Sequence, residues 1–454
     1  MTGKTDRSLY PGRCLVVPTV IAALIMGLSP TLFSQTSLTV EEVRRRALEF
    51  NRQYLAAQQD VQIAQADVIR ARADAFPQLN FTASYNRSFR IPSVFFVVGG
   101  QTTELQTGFK NSYGAQVSLS QTLWQGGKVF TAIDIATRYK RYAEAISDQV
   151  SAEVSYQAEL LFFHAILAQS NLEVLQQALA SNSANLDVAE KKYEQGLVSE
   201  FEVLRARVEK QNLLPQLLAA ESEVKLARKR LQSFIGIDLT EPVELIDPTT
   251  DTSLSDLPNL PALTDTARFC RPEMVRAREL VEISSRGIKI AKAEYWPSLE
   301  AVAAWDWQSA SDDFTMSENN SNSWTAGLRL SFPLFDGFRR SGDVGERRAQ
   351  FAQARLGLKQ TQDDISLEVE EAYDHLIQAK KAVDIQGATI ASAEEGLKIA
   401  NLRYESGVGT QLEVLSAQAA LTEARRIQAQ AIFTFRAARA GLKKATTLGI
   451  GTEQ

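Results

Sequence analysis

Glu202 and Glu413 hold the same place in two nearly identical stretches, "YEQGLVSEFEVL" (Tyr193 to Leu204) and "YESGVGTQLEVL" (Tyr404 to Leu415). Each carboxylate stands three residues after a hydroxyl, Ser199 or Thr410. That spacing is the capping box, in which hydroxyl and carboxylate each accept a hydrogen bond from an otherwise unpaired amide at a helix start. Gly196 and Gly407 precede the hydroxyls and stop the helix before, because glycine adopts the left-handed cap conformation without a Cβ clash. The other candidates for chemistry are few. His164 and His375 are the only histidines. Neither has a Cys or His nearby, so a structural or solvated role is expected and no metal site. The chain has no phosphate loop, GxSxG, HExxH or Cys-x-x-Cys. Its carboxylates are scattered, with no pair set apart for acid–base work. No enzyme and no cofactor is expected.

The elements that position these residues are written twice. The two turns are offset by 404 − 193 = 211 residues. At the same offset "LWQGGKV" from Leu123 aligns with "LFDGFRR" from Leu334, His164 with His375, and Leu231 with Leu442. "DAFPQLNF" around Pro77 matches "AEYWPSLE" around Pro297 at an offset of 220, so the intervening loop is longer in the first copy. A unit of roughly two hundred residues is far beyond any solenoid repeat and implies two copies of one structure. Each copy is dominated by helical periodicity. Leu172, Leu175, Leu179, Asn182, Leu186, Ala189 and Tyr193 alternate spacings of three and four, as do Val383, Gln386, Ile390, Ala393, Leu397, Ala400 and Tyr404. This is a coiled-coil seam rich in small and polar residues. No proline lies between Lys128 and Gln195, so a helix on the order of 100 Å is expected at 1.5 Å per residue. Pro215 should kink the returning helix. Each glycine turn is then the tip of a long helical hairpin.

Four segments of period two lie between the helices. Leu79, Phe81, Ala83, Tyr85 and Phe89 alternate with Asn80, Thr82, Ser84, Asn86 and Ser88. Tyr113, Ala115, Val117 and Leu119 alternate with Gln116, Ser118 and Ser120. Leu299, Ala301, Ala303, Trp305 and Trp307 stand opposite Glu300, Asp306 and Gln308, and Trp324, Ala326, Leu328, Leu330 and Phe332 opposite Thr325, Arg329 and Ser331. Each is about the 9–11 residues of a tilted membrane-crossing strand. Tyr85, Tyr113, Trp305, Trp307 and Trp324 suit the lipid side and its interfacial belts. Glu300, Asp306 and Arg329 suit a lumen. The loops Ile91–Gly108 and Ser309–Ser323 should lie at the outer ends. Four strands cannot close, and lipid tolerates no open edge. Two chains would give a filled eight-strand barrel and three an open one of twelve, which favours at least three copies. The alternative is a soluble sandwich with one wet face.

Composition agrees with an exported protein. At 454 residues with a net charge of −5, the chain has no basic patch interleaved with aromatics and no nucleic-acid partner is expected. Lys4, Arg7 and Arg13 precede the apolar "CLVVPTVIAALIMGL", which suits a signal peptide over 1–34; a retained anchor is the alternative. No later apolar run approaches the ~18 residues of a membrane helix. Of the two cysteines, Cys14 falls in the leader, leaving Cys270 without an internal partner. The expected divisions are a first repeat over 35–237 (strand hairpin 79–123, tip 196–199), an Asp/Pro/Thr-rich linker over 238–262, and a second repeat over 263–450 (strand hairpin 298–333, tip 407–410).

These features in this order, with "LWQGG", "LFDG" and "RPEM" (Arg271 to Met274), resemble the TolC-like outer membrane efflux protein family from about Leu38 to Ile450. The resemblance implies a mostly α protein with membrane β: a homotrimer with a 12-strand β-barrel and a 12-helix periplasmic α-barrel. It implies a passive exit duct in efflux or type I secretion, served by a periplasmic adaptor protein and an inner membrane pump or ABC transporter. It assigns adaptor contact to Gly196, Leu197, Val198, Ser199, Gly407, Val408, Gly409 and Thr410, and the periplasmic constriction to Glu202 and Glu413. Relatives commonly carry Asp at those two positions, and some a second acid where this chain has Ser416. A periplasmic coiled-coil scaffold without a pore is the competing function.

Overall fold

The computed structural model describes residues 36–247, 259–316 and 319–446. The expected signal segment, residues 248–258 of the linker and the last residues of the second repeat lie outside them. The first copy runs β1 (Thr36–Leu38), α1 (Val40–Phe50), α2 (Arg52–Ala73), β2 (Gln78–Arg87), β3 (Ser93–Val98), β4 (Gln101–Gln106), β5 (Asn111–Gln125), α3 (Lys128–Glu194) and α4 (Glu200–Phe234). The second runs β6 (Val243–Leu245), α5 (Leu260–Cys270), α6 (Pro272–Ala293), β7 (Ser298–Ser311), β8 (Asn320–Ser331), α7 (Arg339–Glu405) and α8 (Gln411–Thr446).

α3 and α7 have 67 residues each, about 100 Å of helix at 1.5 Å per residue. Left-handed residues bracket both. Gly127 (φ 77°) and Phe338 (φ 67°) stand before them, Gly196 (φ 74°) and Gly407 (φ 75°) after them. α4 continues through Pro215 as one helix. Laterally, α3 packs between α4 and α8, and α8 packs between α3 and α7. Nearer the sheet, α2, α3, α6 and α7 pack in that order. The seams are lined by small side chains: Ala158, Ala165 and Ala189 on α3 are each at most 1% exposed, which lets the helices approach closely. Asn182, Leu186 and Ala189 are buried on the first seam and Val383, Ala400 and Tyr404 on the second, while Tyr193 is exposed. Two matching cores hold the middle of the molecule. Leu38, Val43, Phe162, Leu231 and Ile235 join α1 to the α3–α4 pair. Leu263, Met274, Val369, Leu376 and Phe435 join α5 and α6 to the α7–α8 pair. Each such fully buried side chain is worth about 1.5–3 kcal/mol.

The four long strands form one antiparallel sheet in the order β2-β5-β7-β8. The two hairpins are thus joined through β5 and β7, and β2 and β8 each keep one unpaired edge within the chain. The register separates the faces as the alternation requires. Phe81 pairs with Val117, Val117 with Trp305 and Trp305 with Trp324; on the other face Asn80 pairs with Ser118, Gln116 with Asp306 and Glu300 with Arg329. A bulge between Thr122 and Trp124 shifts the register by one residue near the helical end, so that Trp124 falls opposite Leu299.

Two expectations are corrected. Ile91–Gly108 is not a plain loop: β3 and β4 form a second hairpin there, closed by Gly99 (φ 62°) and Gly100 (φ 86°). Two left-handed residues suit a type I′ turn. After Ser93 its "VFFVV" run is continuously apolar, so a search for alternation passes over it. The stretch expected as linker also begins and ends in regular structure. β6 pairs in parallel with β1, Thr36 opposite Val243, and α5 starts at Leu260. A three-residue strand whose partner lies about two hundred residues away leaves no local pattern.

Candidate functional site

Both tips turn through helix C-caps. At the first, the Gly196 amide donates to the Tyr193 carbonyl at 2.8 Å and the Leu197 amide to the Lys192 carbonyl at 2.9 Å, the pattern of a glycine-capped helix end. At the second, the Val408 and Gly409 amides both reach the Arg403 carbonyl, at 3.1 and 2.9 Å. A Cβ on Gly409 would stand 2.7 Å from the Arg403 Cβ, so this turn requires glycine for its close approach.

The capping boxes expected from the sequence do not form as such. Ser199 has the extended backbone of a cap, yet its hydroxyl makes no cap bond, and the Glu202 amide donates to the Ser199 carbonyl at 3.1 Å. At the second tip the Thr410 Oγ1 does accept from the Glu413 amide, at 3.3 Å. Neither carboxylate turns back on its own cap. Glu413 Oε2 accepts from Arg403 Nε at 3.3 Å, and Glu202 Oε2 accepts from the Tyr404 hydroxyl at 3.5 Å. A carboxylate gains more from a guanidinium than from a neutral amide.

Glu202 therefore belongs to a latch between the two tips. Lys192 Nζ donates to the Tyr404 carbonyl at 2.5 Å and sits 3.8 Å from the centre of the Tyr404 ring. Gln411 Nε2 donates to the Glu202 carbonyl at 2.9 Å. Tyr404 is 8% exposed. Burial raises its phenol above the ordinary range, and the Glu202 charge and hydrogen bond raise it further. The sequence places Tyr404 on the seam but not in this bridge. Its repeat partner Tyr193 is exposed, and that asymmetry is invisible in two identical motifs. Around the latch Gly196, Leu197, Ser199, Gly407, Val408 and Thr410 are exposed, while Val198 and Gly409 are half-buried. Leu197 and Val408 are 67% and 72% exposed, so the outermost turns present apolar side chains that the chain itself does not cover.

At the other end, the polar face of the sheet carries Glu300 paired with Arg329 at 3.4 Å, and Asp306 accepting from Gln116 Nε2 at 2.7 Å. On the apolar face Tyr85 stacks on Tyr113 with ring centres 5.1 Å apart, and Trp305 lies 6.3 Å from Trp324. Trp307 shares that face, opposite Ala115 and Asn322. Trp124 and Trp296 meet edge to face at 5.9 Å at the helical end, a pair the sequence pattern did not bring together. Among the described residues no group of His, Cys, Asp and Glu is placed to hold a metal ion, and no helix is long and apolar enough to cross a membrane. His164 packs edge-on against Phe433. Charged rungs on one sheet face and carboxylates at the tips can steer ions.

Known proteins share this arrangement. The sequence profile of the family described as Outer membrane efflux protein matches residues 43–237 and 263–447. Nodulation protein T of Rhizobium leguminosarum bv. trifolii is 24% identical over 388 residues, spanning 82% of this chain and 77% of that protein. The solvent efflux pump outer membrane protein SrpC of Pseudomonas putida is 25% identical over 388 residues, spanning 82% and 77%. The CmeC outer membrane channel of Campylobacter jejuni has the same fold, with a TM-score of 0.75 over 90% of this chain and 85% of that one at 18% identity. The chain therefore belongs to the outer membrane efflux protein family and is an outer membrane efflux channel.

Proposed function

We propose that three copies of this chain join into one conduit, a twelve-strand barrel in the outer membrane continued by a twelve-helix tunnel in the periplasm. The observation that carries this is the four-strand sheet with one apolar face, one polar face and two open edges. An open edge is not tolerated in lipid, and twelve strands leave a lumen that eight would fill. The apolar face, with Tyr85, Tyr113, Trp305, Trp307 and Trp324, meets lipid. Glu300, Asp306 and Arg329 line the lumen. The conduit is passive. A periplasmic adaptor docks on the exposed tip turns, Gly196–Ser199 and Gly407–Thr410, and an inner membrane pump or ABC transporter supplies the energy. Similarity to a solvent efflux pump component supports that division of labour.

Glu202 and Glu413 gather near the axis at the tips, and the latch through Tyr404 holds the tunnel narrow. Glutamine at both positions keeps the hydrogen-bonding shape and removes the charge. The Glu202→Gln, Glu413→Gln double variant should assemble normally and conduct in planar bilayers with weaker cation selectivity. The difference should shrink in 1 M salt, where the Debye length is roughly 3 Å. A double variant as cation-selective as the parent at low salt would place the constriction elsewhere.

A further inference from the structure

We propose that a niche in the wall of the tunnel binds amphiphilic organic cations, one per chain; this rests on the conduit described above. The niche is a cavity of about 570 Å³ between α3, α7 and α8, within the size range of small-molecule sites. α8 forms its floor and lies between the other two helices, so one chain completes it. Tyr156 of α3, Glu371, His375 and Ala382 of α7, and Ala438 and Gly441 of α8 are among its lining. A Cβ on Gly441 would touch the Tyr156 ring at 3.9 Å, so the ring lies directly along this floor.

The niche faces away from the small helices packed on the bundle. α5 lies on the face of α7 that bears Ser366, whose Oγ accepts from Arg268 Nε at 2.9 Å. At about 100° per residue, Glu371, His375 and Ala382 point roughly 140°, 180° and 160° from Ser366. On α8, Arg436 and Lys443 line a separate cavity with Val40 and Arg44 of α1. Ala438 and Gly441 lie about half a turn from them. A tunnel wall has two faces; α1 and α5 would obstruct a lumen, so the proposed conduit puts them on the outer face and the niche opens to the lumen.

Its electrostatics select the ligand. The Glu368 carboxylate at its edge is engaged by Arg271 at 2.5 Å. The Lys444 ammonium is engaged by Glu153 at 2.5 Å and lies 5.1 Å from the Tyr156 ring centre. Glu371 is exposed and makes no ion pair or hydrogen bond among the described residues. What remains is one uncompensated negative charge beside a surface of alanine, glycine and aromatic rings. An apolar body with a positive charge satisfies both parts. An anion of the same shape meets Glu371, and a small inorganic cation gains nothing from the apolar wall.

Tetraphenylphosphonium and tetraphenylborate have one shape and opposite charge. Equilibrium dialysis of the purified oligomer in detergent should give saturable tetraphenylphosphonium binding at one site per chain and weaker tetraphenylborate binding. Glu371→Gln should weaken the cation about fivefold, the scale of a partly exposed ion pair. Ala382→Trp, at a position exposed in the single chain, should abolish the saturable site. Equal affinity for both ions, or binding untouched by Ala382→Trp, overturns the niche. The same preparations are tested for ion conduction. Pores without saturable cation binding refute the niche alone, whereas absence of pores refutes the conduit on which it rests.

Discussion

Arg271→Met should cost about 3–5 kcal/mol of unfolding free energy, the scale of breaking a buried ion pair from one side. The Arg271 side chain is 5% exposed and pairs with Glu273 at 2.8 Å and Glu368 at 2.5 Å. It thereby ties the start of α6 to α7 and reaches the Ala445 carbonyl near the end of α8. Methionine replaces the volume and leaves Glu273 without a counter-charge. Adding Glu273→Gln should recover part of the loss, because the stranded charge is then gone. The pH dependence has a definite sign. Burial pushes the Glu273 carboxyl up, but the Arg271 hydrogen bond and charge outweigh it and hold it below the ordinary value. A carboxylate with a depressed folded pKa stabilises above its unfolded pKa, and that contribution is lost as pH falls through the folded one. The parent should therefore lose stability on acidification below the ordinary glutamate range, and Arg271→Met should lose less over the same interval. Urea unfolding followed by circular dichroism measures both. A midpoint within error of the parent, with the same acid response, would make Arg271 a surface residue in energetic terms.

Val117→Lys should largely prevent insertion of the sheet, while Ser118→Lys on the next residue should not. Val117 stands between Phe81 and Trp305, and Ser118 between Asn80 and Ala304. A lysine at the bilayer midplane costs about 2–4 kcal/mol on the lipid side. In an oligomer each chain adds that cost, so the effect on assembly multiplies. Leu328, on β8 and 70% exposed in the single chain, should behave as Val117 does. The amount of heat-sensitive oligomer in the outer membrane fraction reports the outcome. Equal damage from Val117→Lys and Ser118→Lys would overturn the assignment of faces.

Much of this fold is legible because it is written in strong local periods. The long helices announce themselves by seams and by the absence of proline, the sheet by alternation, and the tips by glycines that must take positive φ. Duplication makes each signal count twice. "RPEM" reads in the sequence only as a family match; the structure gives it a cause, with Pro272 in the first turn of α6, Arg271 in its ion pairs and Met274 fully buried. What escapes is whatever depends on distant partners. The β1–β6 pairing joins three-residue strands. Glu202 and Glu413 occupy matching places, but Glu202 meets a tyrosine from the other repeat and Glu413 an arginine from its own. The Lys192–Tyr404 contact couples residues 212 apart in sequence, and no spacing rule reaches that far. The niche beside Tyr156 needs three helices, one of them from the first copy.

Counting chains per pore tests the proposed trimer most directly. Wild-type and Ser118→Lys chains are co-expressed in equal amounts, and single channels are recorded in planar bilayers. In the proposed conduit position 118 faces the lumen, so each substituted chain should change the conductance by one step. Three chains around one lumen should give four classes of channel, in proportions near one, three, three and one. Three classes would mean a two-chain pore, two classes a pore within each chain, and no channels at all a scaffold without a conduit.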